Sequence, residues 1–585
     1  MINVSILLIL IAQPWAKAYD RFFADSSFND TAYSIACDTI DDAYVVVGHT
    51  DIGPLGGIDV LVTKVNAADG SVIWARAYGS SDRFNDYGRS VIVDYDDDGT
   101  TYYAVTGYTE PGFYGDLADV LVFKIRASDG TLVWGNLYNG TIDLLKFLDD
   151  YGYSIVKDGK DYLVAGNVMG TMCPTPCGGL SDALVLSVRA DSGFWNWAWA
   201  YGKIAWDNPD FPTDDYLYSI IEDSSQIPCS LWVVAGKSYN EYEMPMSDIL
   251  VFKVEKSNGT IDTATWWLYD YYLGFPWRFG CAYSIKNDPF VPGYILTGDI
   301  DSSIITMRLN PNLSVGWNGN CRIYTIQNLA GSRCIEPTSD GNYVFTGFTN
   351  PGIPGPFDLL MTKIDMLGMI VWSKVLTGCP TTWMNLDDYG QCIIEYQDSF
   401  YVAAGYTDWP PSWASTNLLV AKVDANGDIP CSPQSDTCLQ DIDTPVDSPE
   451  VYVNTSVCES KLMMEIFPIA PASVDVRDSL ICGLSIGIKE IQNSQILLPA
   501  IMVYPNPLIR FTTIKYQIPV KGKVSLKIYD VSGRIVKTLV NEKENAGYHS
   551  VSFDTKGLKA GIYFAKLVAG DYKDTKKLTI LTTLK

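Results

Sequence analysis

A chain of 585 residues with 47% hydrophobic, 13% aromatic and 19% charged residues carries enough apolar mass for a large core and more than one domain. Its formal net charge is −26, and so acidic a body excludes nucleic acid as a partner, because phosphate binding needs a basic surface. The charge is uneven: from Ala500 onward 15 Lys/Arg face 6 Asp/Glu, so the preceding residues are more acidic than the whole.

In chain order, Ser5 to Ala12 (SILLILIA) is too short to span a bilayer and suits the apolar core of a signal peptide, assigned to residues 1–12. Cleavage after Ala12 keeps Trp15; cleavage at the small-x-small run Ala16-Lys17-Ala18 would discard it. No other segment is long and apolar enough for a membrane helix.

Residues 13–428 repeat one four-phrase pattern seven times. The first phrase is an aromatic-Ser-Ile run, as at Tyr33-Ser34-Ile35, Tyr153-Ser154-Ile155, Tyr218-Ser219-Ile220 and Tyr283-Ser284-Ile285. An apolar strand ending in Gly follows, at Gly48, Gly107, Gly166, Gly236, Gly298, Gly347 and Gly405. Third comes Asp-x-Leu-Val-x-Lys, clearest at Asp59 to Lys64, Asp119 to Lys124 and Asp248 to Lys253. Fourth is Gly followed by Trp, as at Gly70 to Trp74 and Gly130 to Trp134. Four short strands per repeat are the mark of a β-propeller, so the expected fold is all-β, a seven-bladed β-propeller. The seventh copy stops before its Trp phrase, and Trp15-Ala16-Lys17-Ala18-Tyr19 matches Trp74-Ala75-Arg76-Ala77-Tyr78. The N-terminal strand is therefore expected to close the ring as the outermost strand of the last blade, with the Tyr-Ser-Ile strands innermost.

Residues 429–500 break the rhythm and read as a Cys- and Pro-containing linker, with short strands expected at Lys461 to Phe467 and Val474 to Cys482. Residues 501–585 hold short alternating strands between Gly turns, near 512–517, 523–529, 534–540, 547–553, 561–567 and 576–581, the pattern of a small immunoglobulin-like β-sandwich. Thirteen Cys in an exported chain point to disulfides, with Cys173/Cys177 and Cys431/Cys438 as natural pairs. Cys334 and Cys392 occupy the same repeat position in adjacent blades, that of Ser90.

Two resemblances follow from these residues. The C-terminal module resembles the type A sorting domain of the type IX secretion system through Tyr504-Pro505-Asn506-Pro507, Ile528 to Arg534, Gly557 to Tyr563 and Lys576-Lys577-Leu578. That resemblance implies passage through an outer-membrane translocon, then removal by a sorting peptidase and surface attachment or release. A related immunoglobulin-like module of other bacterial surface proteins shares the Tyr-Pro-Asn-Pro and Gly-Ile-Tyr phrases. The ring resembles bacterial secreted β-propeller repeats carrying Asp-x-Leu-Val-x-Lys and Gly-x-x-x-Trp, and its Asp-Gly-x-x-x-Trp hairpins resemble quinoprotein blades.

The repeated Asp59, Asp119, Asp182, Asp248 and Asp358 each precede a strand, where a carboxylate accepts backbone N–H bonds. Asp94, Asp96 and Asp98 have the oxygen spacing of a calcium loop, but Val105 stands where a bidentate Glu is needed. Calcium is the sole cofactor candidate. No Gly-x-Ser-x-Gly elbow occurs, and His49 and His549 are the only histidines.

Long loops gather on one face, between second and third strands and between blades. They carry Trp206, Phe211, Trp277, Trp383, Trp409 and Trp413, large aromatics that are costly to expose unless packed locally or used for binding. The Asp-Tyr pairs beginning at Asp86, Asp150, Asp215 and Asp388 fall on the same face. These residues are the candidate ligand contacts. The leading reading is a non-enzymatic binding or adhesion module for a glycan or protein; a glycan-active hydrolase or lyase and a structural surface-layer spacer are the alternatives.

Overall fold

The computed structural model describes residues 14–428 except 24–25, 28, 52–56, 80–83, 97–98, 111–117, 144–145, 148, 170–180, 204–213, 226–228, 241–245, 263–266, 270–279, 316–320, 326–328, 351–356, 378–386 and 409–415. It also describes strands between 440 and 490, and residues 500–580 except 505–510, 519–520, 545–546 and 571. The described residues form strands and turns, with no helix among them. The chain divides into two compact units, residues 1–288 with 292–491, and residues 492–585 with 289–291.

In the first unit seven antiparallel sheets follow one plan. Sheet one runs Asp30–Asp38, Ala43–Thr50, Asp59–Asn66, Val72–Gly79, each strand pairing with the next. The middle strands are apolar on both faces because both are covered: Val60 to Val65 are all buried. The first strands of sheets two to seven are Asn85–Tyr95, Asp149–Asp158, Asp214–Glu222, Gly280–Asn287, Leu329–Pro337 and Asp388–Tyr396. Each first strand contacts the next, and that of sheet seven contacts that of sheet one, so the contacts form a closed cycle.

Sheet seven takes its fourth strand from the other end of the unit. Trp15–Phe23 lies against Asn417–Asp424 with Trp15 opposite Lys422. Trp15 Nε1 donates to the Ala67 carbonyl of sheet one at 3.4 Å. Trp74, Trp134 and Trp372 do the same to Ala127, Ala190 and Ala425 at 3.0, 3.1 and 3.0 Å. The repeated Trp thus fills the gap to the next sheet and satisfies its one donor there.

The stretch read as a linker contributes more than the two expected strands. Gln440–Ile442, Val451–Tyr452, Val457–Lys461, Met463–Pro468, Ala470–Ser473, Val476–Leu480 and Gly487–Glu490 add a fifth strand to sheets five, four, three, two, one, seven and six in that order. This belt covers the outer edge of every sheet. An added edge strand needs only main-chain hydrogen bonds, so Pro and Ser are tolerated and no apolar alternation marks it.

The third-phrase lysine, whose partner the sequence hides, forms a clasp between sheets. Lys64 meets Asp38 at 3.2 Å, Lys124 meets Asp94 at 3.1 Å, and Lys253 meets Asp223 at 2.7 Å. Arg308 with Asp288 (3.0 Å) and Lys363 with Asp340 (2.6 Å) repeat the pairing. A tyrosine from the following sheet completes it: Tyr103 donates to Asp38 at 2.6 Å, Tyr294 to Asp223 at 2.5 Å, and Tyr343 to Asp288 at 2.8 Å. Tyr162 does the same to Asp94. Burial pushes the Asp223 carboxyl up, but Lys253, Ser225 and Tyr294 together outweigh it and hold it below the usual carboxylate range. Asp38, Asp94 and Asp340 are lowered in the same way, burial opposing and the lysine and hydroxyl partners prevailing.

The second unit holds two sheets. One is ordered Ala500–Tyr504, Phe511–Ile518, Gly547–Asp554; the other is Ile535–Glu544, Gly522–Asp530, Gly561–Ala569, Tyr572–Ile580. Ile514, Tyr516 and Phe553 of the first share a core with Val524, Leu526, Ile528, Leu567 and Leu578 of the second. The expected strands are all present, with Ala500–Tyr504 in addition.

Breaking a buried ion pair leaves the surviving charge uncompensated. Asp223→Ala should therefore destabilise the ring unit by about 3–5 kcal/mol, read by denaturant unfolding of the full chain. Because these folded carboxyl values are depressed, their stabilisation is complete above the unfolded value near pH 4 and drains away as pH falls through the lowered folded values. Acid titration of Asp223→Ala should accordingly show a shallower loss than the parent.

Candidate functional site

Every first strand carries a one-residue bulge at the same place. The register slips between Ala32 and Ser34, Gly88 and Ser90, Gly152 and Ser154, and Leu217 and Ser219. It slips likewise between Ala282 and Ser284, Ser332 and Cys334, and Gly390 and Cys392. A bulge leaves one residue unpaired and re-aims its side chain. The residues so released are Tyr33, Arg89, Tyr153, Tyr218, Tyr283, Arg333 and Gln391, all half-buried. This explains the Gly that ends the second phrase: a Cβ on Gly236 would stand 1.8 Å from the Tyr216 carbonyl oxygen.

The aromatic-Ser-Ile phrase divides into three roles. Its serine accepts a main-chain N–H from the next sheet: Ser34 from Val91 (3.2 Å), Ser90 from Ile155 (3.4 Å), Ser154 from Ile220 (3.3 Å), Ser219 from Ile285 (3.2 Å) and Ser284 from Ile335 (3.3 Å). At the last two seams Cys334 and Cys392 face the carbonyls of Ile393 (3.7 Å) and Ile35 (3.9 Å). The isoleucine enters the core, and the leading residue joins a rosette.

Within the rosette neighbours touch. Tyr153–Tyr218 and Tyr218–Tyr283 centroids lie 5.2 and 5.1 Å apart. The guanidinium of Arg333 sits 4.0 Å over Tyr283, and that of Arg89 sits 4.0 Å over Tyr33. A second tier of rings comes from residues two before the bulge and from the second strands. Tyr151 stacks parallel on Tyr153 and Tyr216 on Tyr218, at 4° and 5° with centroids 6.4 Å apart. Tyr87, Tyr108, Tyr389 and Tyr406 continue the tier. Burial, then the Arg89 charge, depresses His49 to about 3, so it is neutral at ordinary pH; its Nδ1 lies 3.0 Å from Thr31 Oγ1. Burial first, then Asp149, Glu110 and other neighbours, push the Tyr151 hydroxyl up to about 12, leaving it a neutral donor.

Trp206, Phe211, Trp277, Trp383, Trp409 and Trp413 lie outside the described residues, as do Asp98 and the pairs Cys173/Cys177 and Cys431/Cys438. Asp86, Asp150, Asp215 and Asp388 are buried at 0, 0, 0 and 2% exposure. Three of them donate their main-chain N–H to the preceding sheet: Asp86 to Ile58, Asp150 to Ala118 and Asp388 to Phe357, each at 2.7 Å. Two of their carboxyls lie near third-phrase carboxyls: Asp215 raises that of Asp182, and Asp86 shares the space beside Gly79 with Asp59. A Cβ on Gly79 would lie 2.7 Å from Asp59 Oδ1 and 2.8 Å from Asp86 Oδ2. Asp94 is engaged by Lys124, Lys157 and Tyr162, and Asp96 by Lys124 at 3.1 Å. Arg89, Arg333 and Gln391 escaped notice in the sequence because they replace the aromatic of their phrase; the signal was the Ser-Val or Cys-Ile that follows them.

Among proteins already known, residues 502–581 match the secretion system C-terminal sorting domain. The C-terminal module is thus a type IX secretion sorting domain, which directs export to the cell surface or beyond and engages that system's machinery. No curated protein matches the sequence. Two solved structures from Porphyromonas gingivalis are similar at low identity. One is dimeric latent PorU, at 10% identity and TM-score 0.16, covering 81% of this chain and 33% of that chain. The other is PorZ, an essential bacterial surface component of the type-IX secretion system, at 9% identity and TM-score 0.16, covering 96% and 100%. At such scores neither bears on the fold or function of this chain.

Burial and then the neighbouring Asp215 and Asp214 push the Asp182 carboxyl up to about 8. A folded value above the unfolded one, near 4, means that the folded protein holds this proton more tightly. Asp182 therefore costs stability progressively as pH rises from about 4 toward about 8. Asp182→Asn should be more stable than the parent at pH 8, on the order of 1–3 kcal/mol, with the gap closing at pH 5, as measured by thermal unfolding at both pH values.

Proposed function

We propose that this chain is an exported seven-bladed β-propeller, closed by its N-terminal strand and followed by a small immunoglobulin-like sandwich, that binds a glycan or protein ligand without chemical turnover. The rosette carries the reading. Seven bulges, one per sheet, each sacrifice a ladder pairing to release a side chain, and the four Tyr, two Arg and one Gln so released include a run of ring contacts from Tyr153 through Tyr218 and Tyr283 to Arg333. A spacer has no use for such expenditure, since unbulged strands would pair better. Flat rings suit the C–H faces of sugars, and Tyr hydroxyls held neutral supply donors beside them.

A hydrolase or lyase needs carboxylates within reach of substrate. Asp59, Asp86, Asp150, Asp182, Asp215, Asp358 and Asp388 are buried and so poorly placed for that task; Glu110 and Asp149, beside Tyr151, are the carboxylates that turnover would use. Trp277 and Trp383, the loop aromatics singled out by the sequence, would add further stacking contacts.

Binding of the exported protein to a panel of neutral and acidic oligosaccharides tests this. Tyr218→Ala should weaken a bound saccharide by about 10–30-fold, as loss of a central aromatic contact does, with the fold intact by circular dichroism. Trp277→Ala and Trp383→Ala should weaken it as well. Accumulation of cleaved product would overturn the non-enzymatic reading, and indifference of every variant would leave the spacer.

A further inference from the structure

Arg89 differs from the other basic groups of the ring. Arg333 is answered by Asp299, Nη1 to Oδ2 at 2.6 Å, and the clasp lysines each hold a carboxylate. Arg89 has no carboxylate among the described residues. Its Nη2 donates to the Tyr108 hydroxyl at 2.6 Å, its plane lies over Tyr33 and 5.2 Å from Tyr108, and its Nε is buried without a hydrogen-bond partner. Lys237, 4.6 Å over Tyr216, is a second cation of the tier without an ion pair among the described residues. A half-buried guanidinium without a counter-charge is costly, and a fork with a free N–H is shaped for a planar anion.

We propose that Arg89 is the receptor for a carboxylate on an acidic saccharide, an inference that rests on the binding reading above. The parallel pairs Tyr151/Tyr153 and Tyr216/Tyr218 offer the platform for the sugar rings. Glu110 and Asp149 flank Tyr151, so a polyanion is repelled and a chain with a single uronate is favoured.

Matched oligosaccharides, identical except for one uronate, decide the matter by calorimetry on the full chain. The uronate form should bind at least tenfold more tightly at low salt, with the advantage shrinking as salt is raised. Arg89→Gln should erase that advantage without lowering the melting temperature of the ligand-free protein, because a costly charge is removed. Lys237→Gln should reduce the advantage severalfold, and it reports on the site if Arg89→Gln does not fold. Arg189→Gln, at an exposed pair with Asp191, should change nothing. Equal binding of the matched forms overturns the inference and spares the binding reading. Binding of neither form overturns the inference, as does preference for an acidic peptide. A fall in melting temperature with selectivity intact assigns Arg89 to packing alone.

A separate observation concerns the seam between sheets six and seven. Cys334 and Cys392 stand where five other sheets carry serine, and their sulfurs are 3.5 Å apart. An exported chain meets oxidising conditions. We infer that these two thiols are joined as a disulfide in the exported protein. The Cys392 thiolate attacks the disulfide of a thiol oxidoreductase outside the cytoplasm and displaces one of its thiolates. Cys334 then attacks the mixed disulfide and releases the other, so two protons and two electrons leave the pair and one S–S bond forms. Peptide mapping of exported protein under non-reducing conditions should recover the Cys334 and Cys392 peptides linked, and separated after reduction. Alkylation of both without reduction overturns the inference. Cys392→Ser restores the serine of the other sheets and should fold, with Cys334 then alkylated.

Discussion

The ring depends on how one sheet grips the next. At five seams a serine hydroxyl takes an N–H of the following sheet, and at four of them an aspartate four residues further along takes both a lysine or arginine of its own sheet and a tyrosine of the neighbour. A single hydrogen bond of this kind contributes about 0.5–1.5 kcal/mol net, less than the burial of one large side chain. The apolar strands therefore supply most of the stability. The polar grip supplies register, because a buried carboxylate that slips past its lysine is left uncompensated. Repeated round a cycle, the same grip makes each seam answerable to the two beside it.

That division of labour explains what was legible in the sequence. Tyr-Ser-Ile, the Gly-ended strand, Asp-x-Leu-Val-x-Lys and Gly-to-Trp each recur because each does one local task in every sheet, and the strand order and the N-terminal closure follow from their spacing. Trp15 was recognisable because it repeats the task of Trp74. The partner of Lys64 was hidden, since Asp38 lies in a different strand and the tyrosine that completes the clasp belongs to the next repeat. The belt was hidden for a different reason: strands added by main-chain bonds alone impose no side-chain pattern on Val457–Lys461 or Ala470–Ser473.

The centre was the hardest part to see. Arg89, Arg333 and Gln391 break the motif that would have located them, and they do so where the structure turns a strand residue inward. Of the repeated aspartates that drew attention as a set, Asp59, Asp182 and Asp358 lie buried and Asp119 and Asp248 half-buried. Regular repetition marks what holds the ring together; departures from it mark what distinguishes one sector from another. The Arg-bearing sectors two and six, the cysteines of six and seven and the lone His49 of sector one make an otherwise repetitive ring asymmetric about its centre.

Trp15–Phe23 has a kinetic consequence. It leaves the ribosome ahead of all six intervening sheets, yet its partner Asn417–Asp424 emerges only after they have been made. Long-range pairing of this sort is intrinsically slow, because the entropy of joining distant segments is spent before any contact rewards it. Until then sheets one and seven are the two open margins of an incomplete circle. The belt strand Val476–Leu480, which pairs with the far side of Trp15–Phe23, arrives later still. Closure is thus a late event in the life of the chain, and until it occurs the apolar margins on either side of the gap are the surfaces most open to mispairing with another copy.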